Sequence, residues 1–270
     1  MKVSHEVPIP YLEKSRDFND YDYCLPHLLD QSKEYRDFFY ESKKRGRYII
    51  MDNSLHELGK AYDDKRLRYW VHELEPNEFI VPDVWEDKTQ TLVSAKFWSQ
   101  IILPEGVEKV AVVQAKSYSE ARECYRILHN FHYYKKIAFS YGASYYNDLF
   151  PHPNPLVGKM MGRILTISKF YESGLISDSD QIHLLGCALP QEFSYYQGFN
   201  FIKSIDTSNP VIHGLAGVTY KDYGLLKKLP HKVDRFEGNS ENWEYVLYNV
   251  NKFREFIPNN KKIKNYANQE

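Results

Sequence analysis

Short, continuous apolar runs recur along the chain, and most are followed by a longer, more polar stretch with helical spacing. The runs are Tyr21–Leu29, Tyr48–Met51, Phe79–Val81, Val110–Val113, Ile137–Phe139, Ile182–Leu185 and Phe201–Ile205. Hydrophobicity that is continuous rather than alternating marks strands covered on both faces, the habit of a parallel sheet. Helices are expected at Gln31–Lys44, Lys65–Leu74, Thr89–Ile101, Ser119–Phe131, Val157–Tyr171 and Gln191–Phe199, with Ser119-Glu120 read as a helix start. A last helix, Glu241–Phe256, follows Asn239-Ser240 as its cap. Strand and helix alternating over about 250 residues predicts an α/β fold of the (β/α)8 (TIM) barrel type. The eighth strand is expected at His231–Phe236. A doubly wound open sheet is the rival, but no GxGxxG follows the first strand, which weakens its dinucleotide-binding version.

Two segments break the rhythm: Tyr141–Pro155, with the prolines of PHPNP, and Thr207–Lys228, with HGLAG. Both are expected as long loops at the C-terminal ends of strands, where a barrel keeps its active site. The chain shows no internal repeat, low-complexity tract or linker, so residues 1–270 are read as one domain.

Composition narrows the partners. With 35 Lys+Arg against 36 Asp+Glu, the net charge of -1 gives no global attraction to a polyanion. Nucleic acid would need a local basic face: Lys43-Lys44-Arg45 with Arg47, Lys227-Lys228, or Lys261-Lys262 with Lys264. Each cluster also reads as an ordinary solvated surface. The 23 Tyr could stack on bases or pack at core edges. Cys24, Cys124 and Cys187 form no CxxC, and the ten His show no HxxxH or HxH, so neither a disulfide framework nor a metal site is expected. The start, MKVSHEVPIP, lacks a signal-peptide core and no apolar run approaches 18 residues. A cytoplasmic protein without a membrane partner is expected.

Polar residues terminate the apolar runs: Asp52-Asn53 after Met51, Asp83 after Val81-Pro82, Gln114 after Val113, and Asp206-Thr207-Ser208 after Ile205. In a barrel these converge on one face from four strands. Each could instead cap the helix that follows it. Two carboxylates facing one small pocket suit glycosyl chemistry, one attacking the anomeric carbon while the other moves protons. A third carboxylate and an amide can read the hydrogen-bonding edge of a purine-like base. Ser/His/Asp hydrolysis lacks an anchor, since no GxSxG is present.

At these residues the sequence resembles the tRNA-guanine transglycosylase (queuine/archaeosine tRNA-ribosyltransferase) superfamily, in order from about Arg47 to Gly217. YIIMDNSLHELG resembles the strand ending in Asp-Ser-Gly-Gly-Phe/Tyr-Gln, which implies the acid/base aspartate at Asp52. FIVPDVWED resembles the base-binding segment and implies that role for Asp83; VAVVQAKSYSEARE resembles the Ile-Gln-Gly segment and implies base recognition by Gln114. IAFSYGAS falls where the family clamps the base with backbone, implying Tyr141 and Gly142. QIHLLGCALPQEF is similar to Leu-Met/Leu-Gly-x-Gly-x-Pro-x-Asp/Glu, implying substrate contacts from Leu185 and Gly186, and GFNFIKSIDTSNP places the nucleophile at Asp206.

The sequence departs from the family pattern in three places. Ser54-Leu55 replaces Gly-Gly, Val211-Ile212-His213 replaces the Thr-Arg stretch, and the C-terminal CxCxxC…H zinc motif is absent. Lacking the zinc-binding subdomain, the chain looks most like the compact, phage-type DNA transglycosylases. The resemblance then implies exchange of guanine in DNA for a 7-deazaguanine such as preQ0 (7-cyano-7-deazaguanine), through a covalent Asp206–deoxyribosyl intermediate and without a cofactor. Three alternatives stay open: tRNA as acceptor, a non-catalytic accessory barrel, and a nucleoside hydrolase.

Overall fold

A computed structural model describes residues 1–221, 225–230, 232–236 and 238–258. Each apolar run becomes, over part of its length, a parallel strand: β2 (Asp22–Cys24), β3 (Ile49–Met51), β4 (Glu78–Ile80), β5 (Glu108–Val113), β6 (Lys136–Ser140), β7 (Ile182–Leu185) and β8 (Ile202–Asp206). The eighth strand is β1 (Lys2–Ser4), at the N-terminus. The sheet order is β1-β8-β7-β6-β5-β4-β3-β2, all pairs parallel, and with its alternating helices it forms a nearly closed (β/α)8 barrel.

The eighth strand is therefore not at His231–Phe236. Val233–Arg235 is a 3₁₀ turn, and His231 lies outside the described residues. Lys-Val-Ser offers one apolar side chain, too little to stand out as a run. Its strand character comes from its neighbour, since Ser4 pairs with Asp206. The seam between β1 and β2 is bridged largely by side chains. The Asp20 N–H donates to Val3 O at 2.9 Å, and Asp20 Oδ2 accepts from the Val3 N–H at 2.8 Å. The Asn19 amide meets both backbone groups of His5, at 2.7 and 2.9 Å. A primary amide carries a donor and an acceptor, so Asn19 does the work of one ladder residue.

The helices are α1 (Leu12–Ser15), α2 (Pro26–Gln31), α3 (Lys33–Lys44), α4 (Leu55–Leu58), α5 (Asp64–Leu74), α6 (Lys88–Ser99), α7 (Tyr118–Asn130), α8 (Tyr145–Leu149), α9 (Pro155–Glu172), α10 (Asn209–Leu215) and α11 (Trp243–Phe256). Side-chain oxygens of Ser32, Asp63, Asp87, Ser117 and Asn154 cap α3, α5, α6, α7 and α9. The start of α7 is thus set by Ser117 rather than Ser119. Asn239 caps a 3₁₀ turn, Ser240–Asn242, ahead of α11. The helix expected at Gln191–Phe199 is a 3₁₀ stretch, Pro190–Tyr196.

Neither long interruption is wholly loop: Tyr141–Pro155 contains α8, and Thr207–Lys228 contains α10. Every residue of α10 is buried, so it has no polar face and no amphipathic period to read. Gly214 lets it lie against α11, because a Cβ there would sit 2.4 Å from Val246 N. Among the described residues no helix is long and apolar enough to cross a membrane.

One buried ion pair holds the ends of β6 and β7 in place. Arg163, fully buried on α9, donates to Phe139 O, Leu185 O and Gly186 O at 3.1, 3.1 and 2.9 Å. Its guanidinium also grips both oxygens of Glu192, at 2.6 and 2.9 Å. Removing one partner strands the other charge and three carbonyls. Arg163→Ala is expected to lower stability by about 3–5 kcal/mol in urea titration.

Candidate active site

The C-terminal ends of the strands enclose a cavity of about 100 Å³. Since about 10–15 Å³ of such space holds one water, it has room for several waters. Asp52, Asp83, Gln114, Tyr141, Leu185, Gly186 and Asp206 all line it. The structure therefore brings together residues that β3, β4, β5, β6, β7 and β8 place far apart in sequence. Gly142 is the exception. Its N–H donates to Ser140 Oγ at 3.3 Å, and its α-carbon is covered by the Trp85 indole, which a Cβ would meet at 2.4 Å. It seats Trp85 rather than forming part of the wall.

Three strand-end groups make one network. Asp83 Oδ1 accepts from Asn53 Nδ2 and Oδ2 from Gln114 Nε2, both at 2.6 Å. Asn53 Nδ2 also donates to Val81 O at 3.0 Å, and Gln114 Oε1 accepts from the Glu86 N–H at 2.9 Å. Burial pushes the Asp83 carboxyl up to about 6, against the lowering effect of the two amides. The following helix α6 is capped by Asp87 and α7 by Ser117, so neither Asp83 nor Gln114 serves as a cap.

Asp52 is held by Tyr23 Oη at 3.1 Å and by the Ser54 N–H at 3.0 Å. The second contact is a local turn ahead of α4, whose N-cap residue is Ser54, so Asp52 does not cap that helix. Ser54 takes a left-handed φ of 59°, a conformation that favours glycine, and its hydroxyl contacts His27 Nδ1 at 2.7 Å. Burial, then the charge of Asp206, raises the Asp52 carboxyl to about 7. Asp206 meets His183 Nε2 at 3.0 Å, and His183 Nδ1 meets Ser204 Oγ at 2.8 Å. With Asp206 ionised, Nε2 carries the proton and Nδ1 accepts from Ser204, which fixes both the tautomer and the direction of the carboxylate.

The walls hold residues that strand-end reasoning missed. Glu6 follows β1 and escaped because that strand is so short. Tyr23 is hidden inside an apolar run, and Glu57 sits in the one-turn helix α4. Burial, then Asp52, raises Glu57 to about 8. Burial, then Asp206, Glu57 and Asp52, lifts Glu6 well above the carboxylate range. Gly186, at φ 60°, carries the Tyr141 ring, which a Cβ would strike at 2.5 Å. Lys228 Nζ lies 3.4 Å from the centroid of that ring.

Of the basic residues, Lys228 and Lys232 are part of the cavity wall. The cluster at Lys43–Arg47 precedes β3 and so lies at the opposite end of the barrel, with Lys43 on Glu75, Arg45 on Glu41 and Arg47 on Asp22. Lys261, Lys262 and Lys264 lie outside the described residues. Among the described residues no group of three His, Cys, Asp or Glu side chains is placed to hold a metal ion. The fold and this cavity define a (β/α)8 barrel with an acidic site at the strand C-termini. No family model matches the chain, and no curated protein matches it.

The site makes stability depend on pH with a definite sign. Asp52, Glu57 and Asp83 titrate near 7, 8 and 6 in the fold, against ordinary values of 3.8, 4.5 and 3.8. The folded state therefore binds more protons than the unfolded one above about pH 4, and stability falls as pH rises through these values. Buried His5 and His213, with lowered pKa values, act oppositely below about pH 6.5, because only their unfolded forms take up a proton. The three carboxyls outnumber the two histidines, so stability is expected to fall from about pH 5 to pH 8, by about 1.4 kcal/mol per pH unit for each excess proton the folded state holds. Urea midpoints at the two pH values check this, and Glu57→Gln should flatten the alkaline decline.

Proposed function

We propose that the chain is a base-exchange transglycosylase that replaces guanine in DNA with a 7-deazaguanine derivative. The observation that carries this reading is the meeting of Asp206 and Asp52 in one cavity with the Asp83–Gln114–Asn53 network. Asp206 attacks C1′ of the target nucleotide as the C1′–N9 bond breaks, giving a deoxyribosyl ester. Asp52 donates its proton to the departing guanine. The incoming base then returns N9–H as a proton to Asp52 while N9 attacks C1′ and releases Asp206. A carboxyl near neutrality suits both halves of that exchange. The surrounding carboxylates favour the oxocarbenium-like transition state of each step.

Asp83 and Gln114 retain capacity for a base. A carboxylate has about four acceptor sites and the two amides take two, which leaves two for the N1–H and 2-amino donors of a guanine-like ring. Gln114 keeps a second amide N–H for a ring carbonyl. The base must leave the helix stack to reach the cavity, at a cost of a few kcal/mol. One glycosidic bond replaces another, so no cofactor is required. The DNA acceptor rests on the departure from the tRNA enzymes at Val211-Ile212-His213. Preference for preQ0 as the incoming base rests on the resemblance alone.

Incubation with labelled guanine and either DNA or tRNA tests the reading, with label expected in DNA. Asp206→Asn should reduce exchange at least a thousandfold with the fold intact, because an amide is a poor nucleophile. Wild-type protein given DNA and no incoming base should run as an adduct on a denaturing gel. Label in tRNA alone would change the acceptor, and full exchange by Asp206→Asn would overturn the mechanism. Asp83→Ala should weaken base binding by about 1.5–3 kcal/mol in calorimetry.

A further inference from the structure

The turn that carries Asp52 is held from outside the cavity. Ser54 sits at φ 59° and ψ 21° ahead of α4, a left-handed conformation that costs a residue with a side chain and comes freely to glycine. In that conformation its N–H donates to Asp52 Oδ2 at 3.0 Å, while Tyr23 Oη donates to Oδ1 at 3.1 Å. Each carboxyl oxygen therefore has one fixed donor. The Ser54 hydroxyl meets His27 Nδ1, on α2, at 2.7 Å, and His27 Nε2 faces Asp234 Oδ2 at 3.5 Å. Asp234 lies in the 3₁₀ turn 233–235, and the residue before that turn, Lys232, donates from Nζ to Glu57 O at 2.7 Å, near the end of α4. One segment thus reaches both ends of the one-turn helix that follows Asp52.

Serine, histidine and aspartate in series are the residue types of a hydrolytic triad, but this set is not placed to attack a substrate. Ser54 and His27 are 0% and 2% exposed, and neither lines the cavity that Asn53 and Leu55 border. A carboxylate facing Nε2 keeps the ring proton there, which leaves Nδ1 to accept from the serine hydroxyl. The hydroxyl is then tied to α2, and the left-handed backbone with it. We propose that Asp234, His27 and Ser54 form a positioning relay that holds the Asp52 carboxyl toward the reacting atoms. What Asp52 does there rests on the base-exchange reading. A general acid works only within hydrogen-bond reach of the atom it protonates, and about 1 Å of misplacement costs on the order of a hundredfold in rate. His27 and Asp234 touch no substrate and act through the Ser54 turn.

Steady-state incorporation of labelled guanine tests the relay. His27→Ala is expected to lower kcat by roughly thirtyfold to a hundredfold while KM for the base stays within about threefold, because Asp83 and Gln114 keep each other in place. Adding Ser54→Gly to His27→Ala should restore kcat by about tenfold or more, since glycine holds the left-handed turn unaided. A merely structural histidine would not be rescued in this way, because glycine fills none of the space that the ring leaves. His27→Asn, whose amide reaches the place of Nδ1, should keep more activity than His27→Ala. Asp234→Asn supplies an independent variant, with about a tenfold fall in kcat, should His27→Ala fail to fold. Unchanged kcat in His27→Ala and Asp234→Asn, or no rescue by Ser54→Gly, would overturn the relay alone. No incorporation into DNA or tRNA by the wild-type protein would overturn the base-exchange reading and the relay with it.

Discussion

Closure of the sheet through β1 is the constraint on which the site depends. Along an open sheet in this order, β3 and β8 are five strands apart. At about 4.8 Å per strand their ends would be separated by roughly 24 Å. Pairing of Ser4 with Asp206, and the Asn19–Asp20 seam to β2, bends the row into a ring in which Asp52 and Asp206 open onto one cavity. The same closure carries Glu6 to the rim. A three-residue strand thus converts two remote carboxylates into neighbours, and the charge of Asp206 raises the proton affinity of Asp52.

That proximity opposes folding. Three carboxyls raised toward or above neutrality are groups whose charged forms the fold disfavours. A left-handed serine beside Asp52 adds backbone strain of about 1–2 kcal/mol. The surrounding frame compensates with buried, well-satisfied polar links. Arg163 ties three carbonyls and Glu192 behind β6 and β7, and His183 is fixed between Ser204 and Asp206. Strain and repulsion concentrate at the strand ends, while the strands carry the packed core.

Elements with their own local signal were legible in sequence. Seven strands are continuous apolar runs, and α5, α6, α7 and α9 begin within two residues of expectation because periodicity and capping mark them. The meeting of Asp52, Asp83, Gln114 and Asp206 was legible too, since a polar residue ending an apolar run points to one end of the barrel. What was not legible depends on neighbours. β1 is a strand because β8 is beside it, and α10 is buried all round and lacks a period. Glu57 follows Asp52 in a single helical turn, where nothing local distinguishes a buried acid from a solvated one. Lys228 reaches the cavity through a contact with Tyr141 some 90 residues away in sequence, and pattern along the chain carries no trace of it.

Under the proposed base-exchange reading, a polyanion must use an acidic pocket, and the charge arrangement of the cavity bears on how. Lys228 and Lys232 are half-buried on the cavity wall, while Asp83 is buried. With a Debye length near 8 Å at physiological salt, a phosphate at the rim senses the lysines more strongly than carboxylates a nucleotide's length deeper. A neutral purine ring loses little on entering a field that a phosphate resists. Under the proposed reading, the same field would keep a phosphate backbone at the mouth and admit the base. C1′, between the two, would then meet Asp206, where β8 ends. Positioning along the strand-to-rim axis would follow from charge separation in the ligand itself.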